Sequence, residues 1–202
     1  MCEFIHKIIY INLKKRTDRR EQIEEDLNAY NLQYERFEAI ETPGFGAVGC
    51  GLSHLSVLKL AKERNYENVL ILEDDFTFLV SKELLEDQLA KFFNLKLEYD
   101  VCMLSYNLLR QQPTQHNIVN KVIEAQTASG YIVHRKYYDK LIKLYEWAIP
   151  LLQETRQETE YSCDQIWKMY QADDNWYAFT TRIGKQRSGY SDNGCFYVNN
   201  TC

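Results

Sequence analysis

Short apolar runs and longer amphipathic ones take turns along this chain. Residues 7–13 (KIIYINL), 34–40 (YERFEAI), 68–72 (NVLIL), 99–105 (YDVCMLS), 130–134 (GYIVH) and 176–181 (WYAFTT) are β-branched or aromatic and strand-like. Between them, apolar positions recur at helical spacing: Ile23, Leu27 and Tyr30; Leu55, Leu58 and Ala61, with Val57 and Leu60 beside them; Leu85, Leu89 and Phe92. These predict a helix capped by Thr17 or Asp18, with Asp18 and Glu21 at capping-box spacing, and helices over 53–64 and 81–95. Residues 135–149 predict an amphipathic helix stopped by Pro150, and residues 159–171 one further helix. Four glycines and a proline make 41–51 (ETPGFGAVGCG) a predicted loop. The polar stretches 110–117 (RQQPTQHN) and 185–193 (KQRSGYSDN) read as a spacer and a loop. Strands alternating with helices predict an α/β fold with a mainly parallel central sheet in three layers.

Composition narrows this picture. At 202 residues with 45% hydrophobic content, the chain suits one domain, and 8 Gly and 3 Pro leave no room for a long flexible linker. Within it, a first half would run to about residue 106 and a second from about 107. A net charge of -5, with 24 basic and 29 acidic residues well mixed, argues against a nucleic-acid surface. The first fifteen residues carry neither a cleavage-like site nor an apolar run long enough to span a bilayer, so the expectation is a cytoplasmic protein. The six cysteines form no C-x-x-C pair and read as reduced thiols, with a Cys195–Cys202 bridge as the oxidising-compartment alternative.

Candidate chemistry gathers where strands end, because open α/β sheets bind ligands beyond the carboxyl ends of their strands. Glu73, Asp74 and Asp75 follow directly on a buried run. Three adjacent acids must be hydrated, paired or protonated, so a metal site stands against a solvated strand end. Strand alternation sends Glu73 and Asp75 to one side and Asp74 to the other. After the first strand, NLKKRTDRR offers Asn12 for a base or ribose and Arg16 and Arg19 for phosphates. Cations at a helix N-terminus oppose its dipole, so an anion is expected nearby; a charged surface turn is the alternative. His54 is by residue type more often a packing or capping residue than a ligand contact. Asp164, among Ile166 and Trp167, is a general-base candidate, an ordinary exposed acid being the alternative.

Taken in order, IYINLKKRTDRRE (9–21), FEAIETPGFGAVGCGLSH (37–54), VLILEDDFTF (69–78), TASGYIV (127–133) and QRSGYSD (186–192) resemble glycosyltransferase family 25. That family includes bacterial lipopolysaccharide galactosyltransferases and the galactosyltransferase domains of collagen-modifying enzymes. The resemblance implies a GT-A-like, Rossmann-like nucleotide-binding fold and inverting transfer from a UDP-sugar, UDP-galactose first and UDP-glucose next. It implies manganese or magnesium bound by Asp75, with Glu73 and Asp192 as further ligands. Asn12, Arg16, Arg19, Gly49, Ser53, His54, Glu73, Asp74 and Gln186 fall at donor-side positions, and Asp164 is the implied catalytic base. The acceptor would be a glycan or a hydroxylysine-like protein hydroxyl, and a homodimer is compatible with all of this. A catalytically inactive sugar-nucleotide-binding module and a metal-dependent phosphohydrolase are the alternatives.

Overall fold

The structure, a computed structural model, describes residues 4–191 and 196–198. The elements, in chain order, begin with β1 (Lys7–Asn12), α1 (Thr17–Ala29), β2 (Tyr34–Glu38), α2 (Gly46–Glu63), β3 (Asn68–Glu73), β4 (Phe76–Phe78) and α3 (Lys82–Asn94). There follow β5 (Val101–Met103), β6 (Asn107–Pro113), β7 (Val119–Gln126), β8 (Gly130–His134) and α4 (Tyr138–Thr155). Three single turns come next: α5 (Glu158–Tyr161), α6 (Cys163–Ile166) and α7 (Lys168–Gln171). Strands β9 (Trp176–Phe179), β10 (Gly184–Gln186), β11 (Gly189–Ser191) and β12 (Phe196–Val198) complete the described chain.

Eight strands form one sheet in the order β2-β1-β3-β8-β5-β9-β7-β6. Strands β2, β1 and β3 are parallel, β8 is antiparallel to both neighbours, β5 and β9 are parallel, and β7 opposes β9 and β6. All but β8 and β7 therefore point the same way, so the sheet is mixed but mostly parallel. The strands bury both faces. Ile9, Ile11, Val69, Ile71, Val101 and Val133 meet α2 and α4, while Ile8, Tyr10, Leu70, Leu72 and Ile132 meet α1 and α3. This is the predicted three-layer arrangement. Among the described residues no helix is long and apolar enough to cross a membrane.

Several elements depart from their sequence expectation for identifiable reasons. Helix α2 starts at Gly46, not after the glycines, because those glycines serve close packing. A Cβ on Gly49 would lie 2.3 Å from the Ile40 carbonyl, and one on Gly51 3.2 Å from Ile149. Pro150 lies inside α4, whose last turns bury Ile149 and Leu152 before the chain turns left-handed at Arg156. That burial offsets the hydrogen bond proline removes. The helix expected over 159–171 is broken into three turns, with extended backbone at Ser162 between α5 and α6. Most of the polar spacer at 110–117 belongs to the β6–β7 hairpin, and residues 184–191 pair as β10 with β4 and β11 with β12. Helix α1 carries no side-chain cap; Asp18 instead holds Arg16 at 2.7 Å. Ser81, the first residue of the predicted stretch, caps α3 by accepting from the Leu84 amide.

Candidate active site

At the carboxyl ends of β1 and β3 lies a pocket of about 370 Å³. Its walls come from the β1–α1 turn, residues 39–46, the first turns of α2, the acids at the end of β3, and Gln186. Parallel register sets Ile11 beside Glu73, so Asn12 and Asp74 follow at the same level. The three acids then diverge in role.

Asp74 is spoken for by its own chain. Its Oδ2 accepts from Asn12 Nδ2 at 2.8 Å and its Oδ1 from Arg19 Nη1 at 2.9 Å. Asn12 is itself saturated, since its Nδ2 also donates to the Arg16 carbonyl and its Oδ1 accepts from Arg36. Asn12 thus holds an acid in place, and it does not line the pocket. Arg19 spans Asp74 and Asp75, the second contact at 3.3 Å. The anion expected near the N-terminus of α1 is therefore the acidic strand end. Arg16 pairs with Asp18 and does not line the pocket.

Glu73 faces the other wall. Its Oε1 lies 3.1 Å from His54 Nε2 and accepts from the Cys50 thiol at 3.5 Å, and its Oε2 accepts from Gln186 Nε2 at 3.3 Å. His54 is fully buried, with Nδ1 2.8 Å from the Tyr131 hydroxyl. Burial works against its charge, but hydrogen bonds to Cys50 and Glu73 outweigh that and push its pKa up to about 10. Burial raises the Glu73 carboxyl, yet the His54 partner holds it below its ordinary value overall. Ser53 is also fully buried. It donates to the Gly49 carbonyl at 2.7 Å and accepts the Ile40 amide at 2.8 Å, fastening the 39–45 loop to α2. Gly49, Ser53 and His54 thus shape the wall, and the last two reach the pocket through their partners.

Asp75 differs from both. Burial, then the neighbouring Glu73 charge, push its pKa up to about 7, with Arg19 opposing. Its Oδ1 is buried with no hydrogen-bond partner among the described residues. The segment after it is clamped: Arg187 donates from its backbone to the Asp75 carbonyl at 2.6 Å, and β10 pairs with β4. Asp164 stands outside the pocket lining. Its Oδ2 accepts from the Thr127 amide at 3.0 Å, and burial raises its pKa. It follows Cys163, whose sulfur is 3.7 Å from that of pocket-lining Cys50. Asp192, Cys195 and Cys202 lie outside the described residues. Cys50, Tyr131 and Cys163 received no role from sequence reasoning; the four-residue spacing of Cys50 and His54 becomes a signal only once α2 is seen to start at Gly46.

The α/β fold, a mixed and mostly parallel sheet flanked by helices, is of the GT-A type. The fold resembles that of a solved glycosyltransferase involved in the glycosylation of the major capsid of PBCV-1, with a TM-score of 0.50, 11% identity, and coverage of 85% of this chain and 80% of that one. Residues 44–155 match glycosyltransferase family 25 (LPS biosynthesis protein), and the chain belongs to that family. It is 38% identical over 94 residues to the R655 protein of Acanthamoeba polyphaga mimivirus, whose name describes a glycosyltransferase, covering 36% of this chain and 29% of that protein. It is 24% identical over 169 residues to human procollagen galactosyltransferase 2, covering 67% of this chain and 27% of the relative. The chain spans less than a third of the length of these curated relatives.

Proposed function

We propose that this chain is a metal-dependent, inverting glycosyltransferase. It moves a hexose, galactose before glucose, from a UDP-sugar to a hydroxyl of a glycan or protein acceptor. One observation carries the reading: Asp75, a half-buried carboxylate on the pocket wall, has one buried oxygen, Oδ1, that no described residue satisfies. Carboxylate oxygens are what manganese or magnesium prefers, so Asp75 fits such an ion as a direct ligand. Glu73, whose oxygens already have partners, flanks it. Bound there, the ion supplies positive charge for a departing diphosphate. Family membership supports the sugar-transfer reading, and a galactosyltransferase name recurs among relatives, including one from Xenopus laevis.

The remaining work falls to the side chains. Arg19 holds Asp74 and Asp75 in fixed positions, and Lys15 at the pocket rim pairs with Glu41 at 2.6 Å. Gly49 lets the 39–45 loop close against α2, which narrows the pocket around a donor. Asp164, its carboxyl pKa raised by burial, is suited to take the proton from an acceptor hydroxyl as that oxygen attacks the anomeric carbon and UDP leaves. Residues 1–202 are read as one transferase domain. Its donor half runs to about residue 106; all the pocket-lining residues except Gln186 fall in it.

The test is UDP release from UDP-galactose and UDP-glucose, with a panel of acceptors, with and without manganese. Turnover that ignores metal, or full activity in Asp75→Ala, overturns the metal assignment. UDP binding without transfer to any acceptor identifies a binding module, and phosphate release from simple esters identifies a phosphohydrolase.

A further inference from the structure

Four donor atoms from three parts of the chain converge behind the pocket wall. Cys50 and His54 sit one turn apart on the same face of α2, Cys163 opens α6, and Glu73 closes β3. The Cys50 and Cys163 sulfurs are 3.7 Å apart, Cys50 Sγ is 3.5 Å from Glu73 Oε1, and that oxygen is 3.1 Å from His54 Nε2. The ligand atoms of Cys50, His54 and Cys163 all lie within 4.8 Å of one another.

These spacings can be set against a metal's demands. Tetrahedral zinc, with bonds of about 2.3 Å to sulfur and about 2.0–2.1 Å to nitrogen and oxygen, separates its ligands by about 3.8 Å for S···S, about 3.5 Å for S···O and about 3.3 Å for N···O. The three measured separations agree with those values within about 0.2 Å. The second nitrogen of His54 is held by Tyr131, the kind of outer contact that orients a zinc-binding imidazole.

We propose that Cys50, His54, Cys163 and Glu73 Oε1 form a soft, closed tetrahedral site for a zinc-class cation, separate from the hard-oxygen position at Asp75. Both thiols bind as thiolates and His54 binds through an unprotonated Nε2, so uptake of the ion releases protons to solvent. Two thiolates and an imidazole favour zinc over manganese or magnesium, which prefer oxygen. A disulfide between Cys50 and Cys163 is the competing use of the two sulfurs, but it would leave the convergence of His54 and Glu73 unexplained. The site reaches solvent through Cys50, which lines the pocket. By tying α6 to α2 and β3 it fixes Asp164, the next residue after Cys163, relative to the acidic strand end. This goes beyond the transferase reading and does not depend on it.

The experiment uses the full chain, reduced and dialysed against metal-free buffer, then given zinc or cobalt alone. Expected are one tightly held zinc per chain by elemental analysis and, with cobalt, thiolate charge-transfer absorption together with intense tetrahedral visible bands. Cys50→Ala should weaken zinc binding by at least about 100-fold, more than loss of an outer partner does. Cys102→Ala, a buried thiol elsewhere, and Asp75→Asn should keep the zinc. Because Cys163→Ala could fail to fold, the wild-type cobalt spectrum stands as an independent readout. Zinc binding as weak in the wild type as in Cys50→Ala, a cobalt spectrum lacking thiolate bands, or isolation with a Cys50–Cys163 disulfide overturns the proposal. Zinc retained by a protein without transferase activity would sink the transferase reading and leave this one standing.

Discussion

Two partly buried polar networks in this molecule look alike in composition and differ in completeness. One joins β7, α4, α7 and β9. Tyr137 donates to Asp174 at 2.6 Å, Trp176 Nε1 donates to Tyr137 at 3.1 Å, Lys140 pairs with Asp174, and Lys121 donates to the Gln171 carbonyl at 2.6 Å. The other joins β1, α1, α2 and β3 through Asn12, Arg19, His54 and the three acids. In the first network each of the polar atoms named has a partner, and none of its residues lines the pocket. In the second, Asp75 Oδ1 is left over. A satisfied network stabilises a joint; an unsatisfied one, at the floor of a cavity, marks the place of something brought from outside.

Substitutions can break or sharpen that contrast. The largest effect is expected from Asp75→Asn. Transfer should fall by about a thousandfold or more, as befits several kcal/mol of lost charge stabilisation. The melting temperature should hold or rise, because a costly buried carboxyl is removed. A protein that loses stability instead would place Asp75 in the satisfied class. Next comes Asp164→Asn, with transfer reduced about 10²- to 10⁴-fold and UDP-sugar binding by calorimetry unchanged. Weakened donor binding would remove Asp164 from the base role. In the other network, Tyr137→Phe should reverse the pattern. Denaturant unfolding should show a loss of about 1–3 kcal/mol, since Trp176 Nε1 is left buried without its acceptor, while transfer is kept. Lys62→Ala, which removes an exposed pair with Asp139, is the baseline. It should change stability by no more than about 1 kcal/mol and leave activity alone.

How far the sequence could be read also differs between the two regions. Strands β1, β3 and β8 were legible to within a residue or so because both-face burial writes a continuous apolar run. The edge strand β6 was not: its Arg110, Gln111 and Gln112 face solvent, and its strand character comes from backbone pairing with β7. The early start of α2 was hidden because glycine signals a loop when its neighbours are unknown. At Gly49 the neighbour is the Ile40 carbonyl, brought there by the fold. The acids and the arginines were legible as opposed charges at one sheet edge. Their division of labour was not, since Asp74 is committed to Asn12 and Arg19, 62 and 55 residues away in sequence. Arg16, alike in composition to Arg19, turns to Asp18 on its own helix. A one-turn difference in helical position separates the two.

The pairing of β10 with β4 carries a consequence for how the protein comes into being. Gln186, which holds Glu73, lies 113 residues further along the chain, and Arg187 clamps the Asp75 carbonyl from the same strand end. During synthesis the acids therefore emerge with Asn12, Arg19 and His54 already made, but well before Gln186 and Arg187, which add the last contacts around them. Closing so long a loop is among the slow steps of folding. A chain ending before β10 would keep the contacts of the acids to Asn12, Arg19 and His54 and lose those to Gln186 and Arg187.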